Sequence, residues 1–207
     1  MQVNDRIEEA LARSNTYKLL SIAFIRELTP ESIEVFRGSD MAEILRELGE
    51  GFGREFYNRD EQELLKELAE EYAALFIMPG GVNPTESVAR SGLYMQTFAG
   101  QVTRFYRKCS FTLPDDFRGF PDHIGIELEF MSHLAKNEAG AYRENKADGW
   151  VALQKEFLQD HLSRWAADFA GDVAKYTRQP FYREMARLLY EFIRSEAEEL
   201  MVYQENM

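Results

Sequence analysis

A chain of 207 residues that is 45% hydrophobic, 13% aromatic and 29% charged can bury a sizeable core, which argues against a disordered protein. Its formal net charge of -12 argues against nucleic-acid binding, which needs a basic stripe to neutralise phosphates, and suits a cationic partner. The sole cysteine, Cys109, excludes an internal disulfide or a thiolate metal cage and fits a reducing compartment.

The amino-terminal segment carries Asp5, Glu8 and Glu9 and has no apolar run of the signal-peptide kind. No stretch approaches the roughly 20 apolar residues of a membrane span. The expectation is a cytoplasmic protein with no membrane insertion.

Helical spacing runs through almost the whole chain. Tyr17, Leu20, Phe24 and Leu28 mark a first helix that stops by Pro30. Met41, Ile44, Leu45 and Leu48 predict a short helix ended by Gly49 and Gly51. Asp60 followed by Glu63 is a helix-starting pattern, and Leu64, Leu68, Tyr72, Leu75 and Phe76 then share a face as far as Pro79-Gly80-Gly81. One long, central helix is predicted from about Thr85 to Lys108, on Val88, Met95, Ala99, Val102 and Tyr106. Gly92 and Gly100 fall inside it, where close helix approach would be a reason to accept their cost of about 1 kcal/mol each.

The stretch 107–122 lacks helical pattern and is a candidate hinge connector. Asp122 is placed to cap the next helix, whose core rows are Ile124, Leu128, Met131 and Ala135. A polar loop is expected over Asn137–Gly149. Trp150, Leu153, Phe157, His161, Trp165 and Phe169 then predict one helix ended by Gly171, and Phe181, Met185, Leu188, Leu189 and Phe192 a last long helix after Pro180. No alternating strand pattern, repeat or low-complexity tract occurs. The fold class expected is all-α, a single helical bundle domain spanning 1–207.

Motifs for chemistry are sparse. The sequence contains no GxxxxGK[ST], no GxGxxG after a strand and no HExxH. None of the three histidines, His123, His133 and His161, has a glutamate three residues before it, as di-iron bundles require. His123 and Glu127 are four apart on one helical face, which suits a metal pair or, more simply, a salt bridge. Ser87 has no identifiable base and sits where a capping residue would, with Glu86 beside it favoured by the helix dipole. His161, four residues from both Phe157 and Trp165, reads as a hydrogen-bonded core histidine. An enzyme reading with no bound cofactor assigned remains open as a metal-dependent site on His123, Glu127 and His161, and so does an unrelated helical adaptor.

Four segments together resemble the TorD/DmsD family of redox-enzyme maturation chaperones, related to the nitrate reductase assembly chaperones. They are Leu75-Phe76 with Pro79-Gly80 and Pro84-Thr85-Glu86-Ser87-Val88; Pro121-Asp122-His123-Ile124 with Glu127-Leu128 and Phe130-Met131; Phe157, His161-Leu162, Trp165 and Phe169; and Pro180-Phe181-Tyr182. The likeness extends from about residue 10 to residue 200. Phe120 stands where the family often has an acidic residue. The resemblance implies a non-enzymatic, all-helical chaperone, cofactor-free itself, whose partners are the twin-arginine leader and the apo form of a molybdoenzyme catalytic subunit. It places leader or client binding on Pro121, Asp122, His123 and Glu127, with Glu86, Ser87, His161 and Trp165 in support. Whether the chain pairs as a homodimer is left open by the sequence.

Overall fold

The computed structural model describes residues 2–38, 51–113, 115 and 117–205, the last six of these as backbone alone. The helix expected on Met41, Ile44, Leu45 and Leu48 lies outside the described residues. The structure is 76% helical, and among the described residues there are no strands. The helices are α1 (Val3–Ile25), α2 (Pro30–Arg37), α3 (Arg54–Asn58), α4 (Glu61–Tyr72), α5 (Glu86–Ser91), α6 (Thr97–Lys108), α7 (Ile124–Ala141), α8 (Ala147–Asp160), α9 (Ala166–Tyr176) and α10 (Pro180–Glu205). Pro30 not only follows α1 but opens α2, where its missing N–H costs nothing. Asp60 caps α4 as its spacing suggests, accepting from the backbone N–H groups of Gln62 and Glu63.

The helix at the centre is α7. Ile124, Ile126, Leu128, Phe130, Met131, Leu134 and Ala135 are all fully buried, so apolar contacts surround it. Its most extensive partner is α1, and the two run antiparallel: Ile25 lies against Gly125, Ser21 reaches Glu129, and Ser14 reaches Ser132. A Cβ on Gly125 would come within 2.6 Å of the Ile25 Cα, so glycine is what lets the start of α7 rest on the end of α1. Farther along, Arg13 pairs with Glu138, which also accepts from Gln154 Nε2 at 2.8 Å, while Tyr17 donates to Glu196 at 2.9 Å. That buried network ties α1, α7, α8 and α10 together. Edge-on aromatic contacts fill the rest of the core, Phe24 on Phe169 and Phe130 on Phe157 among them.

Several expectations are corrected here. The helix predicted over Thr85–Lys108 is two helices, α5 and α6, because Gly92 at φ +75° ends α5 in the left-handed region with its N–H on the Val88 carbonyl. Leu93, Tyr94 and Met95 in the break are 51–61% exposed, so this stretch is not the enclosed centre of the bundle. Nor does close packing explain Gly92 or Gly100, since a Cβ at either meets nothing within 4 Å. Asn137–Gly149 is largely helical: α7 continues to Ala141 on the buried Glu138 and Ala139, followed by a 3₁₀ turn over Tyr142–Glu144.

The helix expected from Trp150 to Phe169 breaks at His161, whose φ of -120° and ψ of -89° lie outside helical geometry, and passes through a 3₁₀ turn at Leu162–Arg164 into α9. Gly171 does not end a helix; it lies on the open side of α9, which runs to Tyr176. After α4 the chain widens into a π-helical turn over Ala73–Ile77 before Pro79-Gly80-Gly81.

Candidate functional site

The segments Pro84–Glu86 and Asp122–Ile124 meet side by side. Thr85 and His123 form an isolated antiparallel bridge, with the Glu86 N–H donating to the Asp122 carbonyl at 2.9 Å and the Ile124 N–H to the Pro84 carbonyl at 2.8 Å. Both chain segments are about to become helices, α5 and α7, so their first backbone N–H groups need acceptors. The acceptors are exchanged between segments. Asp122 Oδ2 accepts from the Ser87 N–H at 2.8 Å, capping α5 from across the bridge. The N-cap of α7 is His123, whose Nδ1 accepts from the Gly125 N–H at 3.1 Å. The expectation that Asp122 caps α7 is therefore corrected: the aspartate serves the other helix, and the histidine takes its place.

Behind this corner the remaining predicted residues come together. Glu86 accepts from Arg90 and lies 2.8 Å from His161 Nδ1. Glu127 Oε2 accepts from Trp165 Nε1 at 3.2 Å. Glu86, Ser87, Asp122 and Glu127 are all 0% exposed, and His161 and Trp165 nearly so. Pro121 is half-buried, and its carbonyl accepts from the Tyr106 hydroxyl at 2.9 Å. All eight residues singled out from the sequence thus belong to one assembly, though His123 and Glu127 are joined by the backbone, the Glu127 N–H donating to the His123 carbonyl at 3.0 Å, while their side chains turn to other partners.

The electrostatics follow from burial. Desolvation lowers His123 to a pKa of about 4, so the ring is neutral and Nδ1 keeps the lone pair that caps α7. Desolvation raises Glu127 well above the carboxylate range, aided by the negative charges of Glu86 and Asp122, while the Trp165 hydrogen bond opposes this. Burial thus favours the protonated form of Glu127. Ser87 Oγ, Asp122 Oδ1 and Glu127 Oε1 are buried without a partner, an unusual concentration of unsatisfied polar atoms. Among the described residues no group of three or more histidine, cysteine or carboxylate side chains is arranged to hold a metal. His123, Glu127 and His161 each turn to a different partner.

On its outer side the corner borders a groove of about 350 Å³, lined by Ile25, Phe76, Ile77, Tyr94, Phe117 and His123. Phe120 stacks on Tyr94 here with ring centroids 4.8 Å apart, and Phe117 meets His123 edge-on. Ile77 and Met78 are just over 60% exposed at the end of the π-helical turn, and Tyr94 with its neighbours Leu93 and Met95 is exposed opposite. Such a gathering of exposed large apolar side chains marks a contact surface. Periodicity placed Met95 in a helix core and left Ile77, Met78 and Tyr94 unremarked, because the break at Gly92 exposes Tyr94 and Met95, and the π-helical turn ends at Ile77 and Met78. Arg90, also missed, had a legible signal in its four-residue spacing from Glu86.

With the corner and its groove defined, comparison with other proteins becomes informative. The profile of the family described as nitrate reductase delta subunit matches residues 38–171. The chain belongs to that family. Over nearly its full length it is similar to the chaperone protein TorD of Shewanella piezotolerans, 25% identical with 90% of this chain and 91% of the relative covered. A selenate reductase assembly chaperone protein of Thauera selenatis is 34% identical over 49% of this chain and 55% of its own length. The crystal structure of a redox enzyme maturation protein from Archaeoglobus fulgidus shares the fold, with a TM-score of 0.58 at 21% identity, covering 88% of this chain and 93% of that one. The family match contains both halves of the corner, Pro84–Val88 and Pro121–Met131. The resemblance to the TorD/DmsD chaperones drawn from those segments is borne out.

Proposed function

We propose that this chain is a cytoplasmic, non-enzymatic chaperone for a molybdopterin-dependent oxidoreductase, binding the twin-arginine leader and immature catalytic subunit so that cofactor insertion precedes export. Relatives named as chaperones of reductase assembly support the class of function. No described helix is long and apolar enough to cross a membrane. The observation that carries the reading is the groove beside the corner, with Ile77, Tyr94 and Phe117 offered to an apolar peptide segment.

In this reading Pro121, Asp122 and His123 build one wall of the leader site. Asp122 shapes the wall by capping α5, and the His123 ring edge faces the groove. Glu86, Ser87, Glu127, His161 and Trp165 form the buried latch that holds that wall to α8 and α9. A leader arginine needs an exposed carboxylate, and we assign that role to Glu27, which is exposed, follows the lining residue Arg26 in sequence and acts in charge on the lining residue Tyr72. The apolar stretch of the leader then covers Ile77 and Tyr94. Binding strength alone, greater for the unfinished client than for the finished one, suffices for the chaperone's task.

The test is calorimetric titration of the full chain with a twin-arginine leader peptide from a molybdoenzyme catalytic subunit. Ile77→Ser and Tyr94→Ser each remove about 1–3 kcal/mol of apolar burial from the complex, a five- to hundredfold weakening. Unchanged affinity in both variants removes the groove from the leader site. No binding of any such leader removes the leader reading itself.

A further inference from the structure

Among the described side chains, methionine sulfur is divided sharply by exposure. Met131 and Met185 are fully buried, whereas Met78 and Met95 are 61% and 59% exposed. Each of the exposed pair directly follows a residue that lines the groove beside the corner, Ile77 and Tyr94. The backbone fixes both positions. The Met78 N–H donates to the Ala73 carbonyl at 2.8 Å and closes the π-helical turn. Met95 has a φ of +54°, in the left-handed region that a side chain enters at a cost, and it ends the exposed run Leu93-Tyr94-Met95. The two thioethers thus border the apolar surface from the two segments that flank it.

A thioether at such a place makes a good apolar contact, because methionine is unbranched and polarisable and adapts to differing partners. It is also open to oxidation. Cys109, the sole thiol, is 6% exposed and burial pushes its pKa up, so it keeps its proton and lacks the reactive thiolate. A thioether needs no deprotonation, and its lone pairs are always available. Hydrogen peroxide is neutral and is not repelled by a chain of net charge -12. We propose that Met78 and Met95 are oxidation sites through which peroxide switches off apolar binding in the groove. A sulfur lone pair attacks one peroxide oxygen, and the S–O bond forms as the O–O bond breaks. The departing hydroxide takes the proton of the transferred oxygen and leaves as water, so the thioether loses two electrons and the peroxide gains them. The sulfoxide is polar, and covering it with an apolar leader segment strips its oxygen of water without a partner in return. Methionine sulfoxide reductases, one for each sulfoxide epimer, restore the thioether, with two thiols becoming a disulfide and the oxygen leaving as water. This regulation rests on the leader reading of the groove.

The test treats the full chain with dilute hydrogen peroxide, quenches with catalase, and maps oxygen addition by peptide mass spectrometry before calorimetric titration with the twin-arginine leader peptide. Oxygen is expected on Met78 and Met95 before Met131 and Met185, with leader affinity falling at least about fivefold. Met78→Leu with Met95→Leu, whatever its own affinity, should bind equally before and after treatment, since every other methionine is still present in it. Met78→Gln with Met95→Gln should bind weakly without any peroxide. An equal peroxide effect in the leucine double variant and the wild type, or full affinity once both thioethers carry oxygen, overturns the proposal. If the untreated chain binds no leader, the leader reading fails by itself, and the neutral apolar dye Nile red then decides the switch. Its fluorescence should fall when the wild type is oxidised and not when the leucine double variant is; an unchanged signal in both overturns the switch.

Discussion

His123 and Glu127 stand one helical turn apart at the start of α7, and burial moves them in opposite directions. His123 is held neutral, with its folded pKa of about 4 below the ordinary 6.5. The unfolded chain therefore takes up more protons between those values, and stability present above pH 6.5 is lost as pH falls toward 4. The full effect is roughly 3 kcal/mol at most. Glu127 works the other way: its folded pKa is raised, so stability is complete at acid pH and declines as pH rises above the ordinary carboxylate value. His123→Asn keeps a side-chain acceptor for the Gly125 N–H but cannot titrate. Thermal melts of this variant should lose part of the decline between pH 6.5 and 4, while Glu127→Gln should lose part of the decline on the alkaline side. Identical pH profiles in wild type and both variants would show that neither group is held in its neutral form. The sequence made this corner visible as Pro121-Asp122-His123, yet could not assign its caps, because Asp122 is drawn across to the Ser87 N–H of α5, 35 residues away, which leaves His123 to cap α7 locally.

At the level of elements, glycine has different meanings in different helices. Gly125 lies on the Ile25 backbone, where a Cβ would stand 2.6 Å from Cα, whereas the Cβ position of Gly100 in α6 is open. Gly125→Ala should therefore cost about 1–3 kcal/mol through displaced packing between α7 and α1. Gly100→Ala should gain about 0.5–1 kcal/mol, since alanine restricts the unfolded chain and favours the helix. Urea midpoints read both; equal shifts in the two variants would contradict the close approach at Gly125. Nothing in the one-dimensional pattern separates these two glycines. Gly92 is the third kind, because it ends α5 in a conformation that only the break before α6 reveals.

For the whole molecule, the charge of -12 acts on encounter rather than on fold. A twin-arginine leader should associate more slowly as salt rises, with most of the change in the on-rate and little in the off-rate. Stopped-flow association from about 20 to 200 mM salt, well across the range where the Debye length shrinks toward 10 Å, should show this dependence. A leader with both arginines replaced by glutamine should show far less. If salt changes only the off-rate, the acidic surface has no steering role.

Helical periodicity by itself determined that the chain is all-α, that Asp60 starts a helix, and that Leu64, Phe24, Phe157 and Phe181 are core residues. Apolar side chains repeating at three and four residues have no other way to be buried together. The Pro-Asp-His corner and its companion segment were also legible, as short motifs with a family likeness. Tertiary structure alone decided that α7 is the central helix, that Asp122 caps α5 while His123 caps α7, and that Ile77 and Tyr94 face outward beside them. It also decided that Glu86 meets His161 Nδ1 at 2.8 Å, fixing the ring at the end of α8. The Asp122 cap and the Glu86–His161 contact join groups 35 and 75 residues apart, and Ser14 meets Ser132 across 118, separations at which local spacing carries no information.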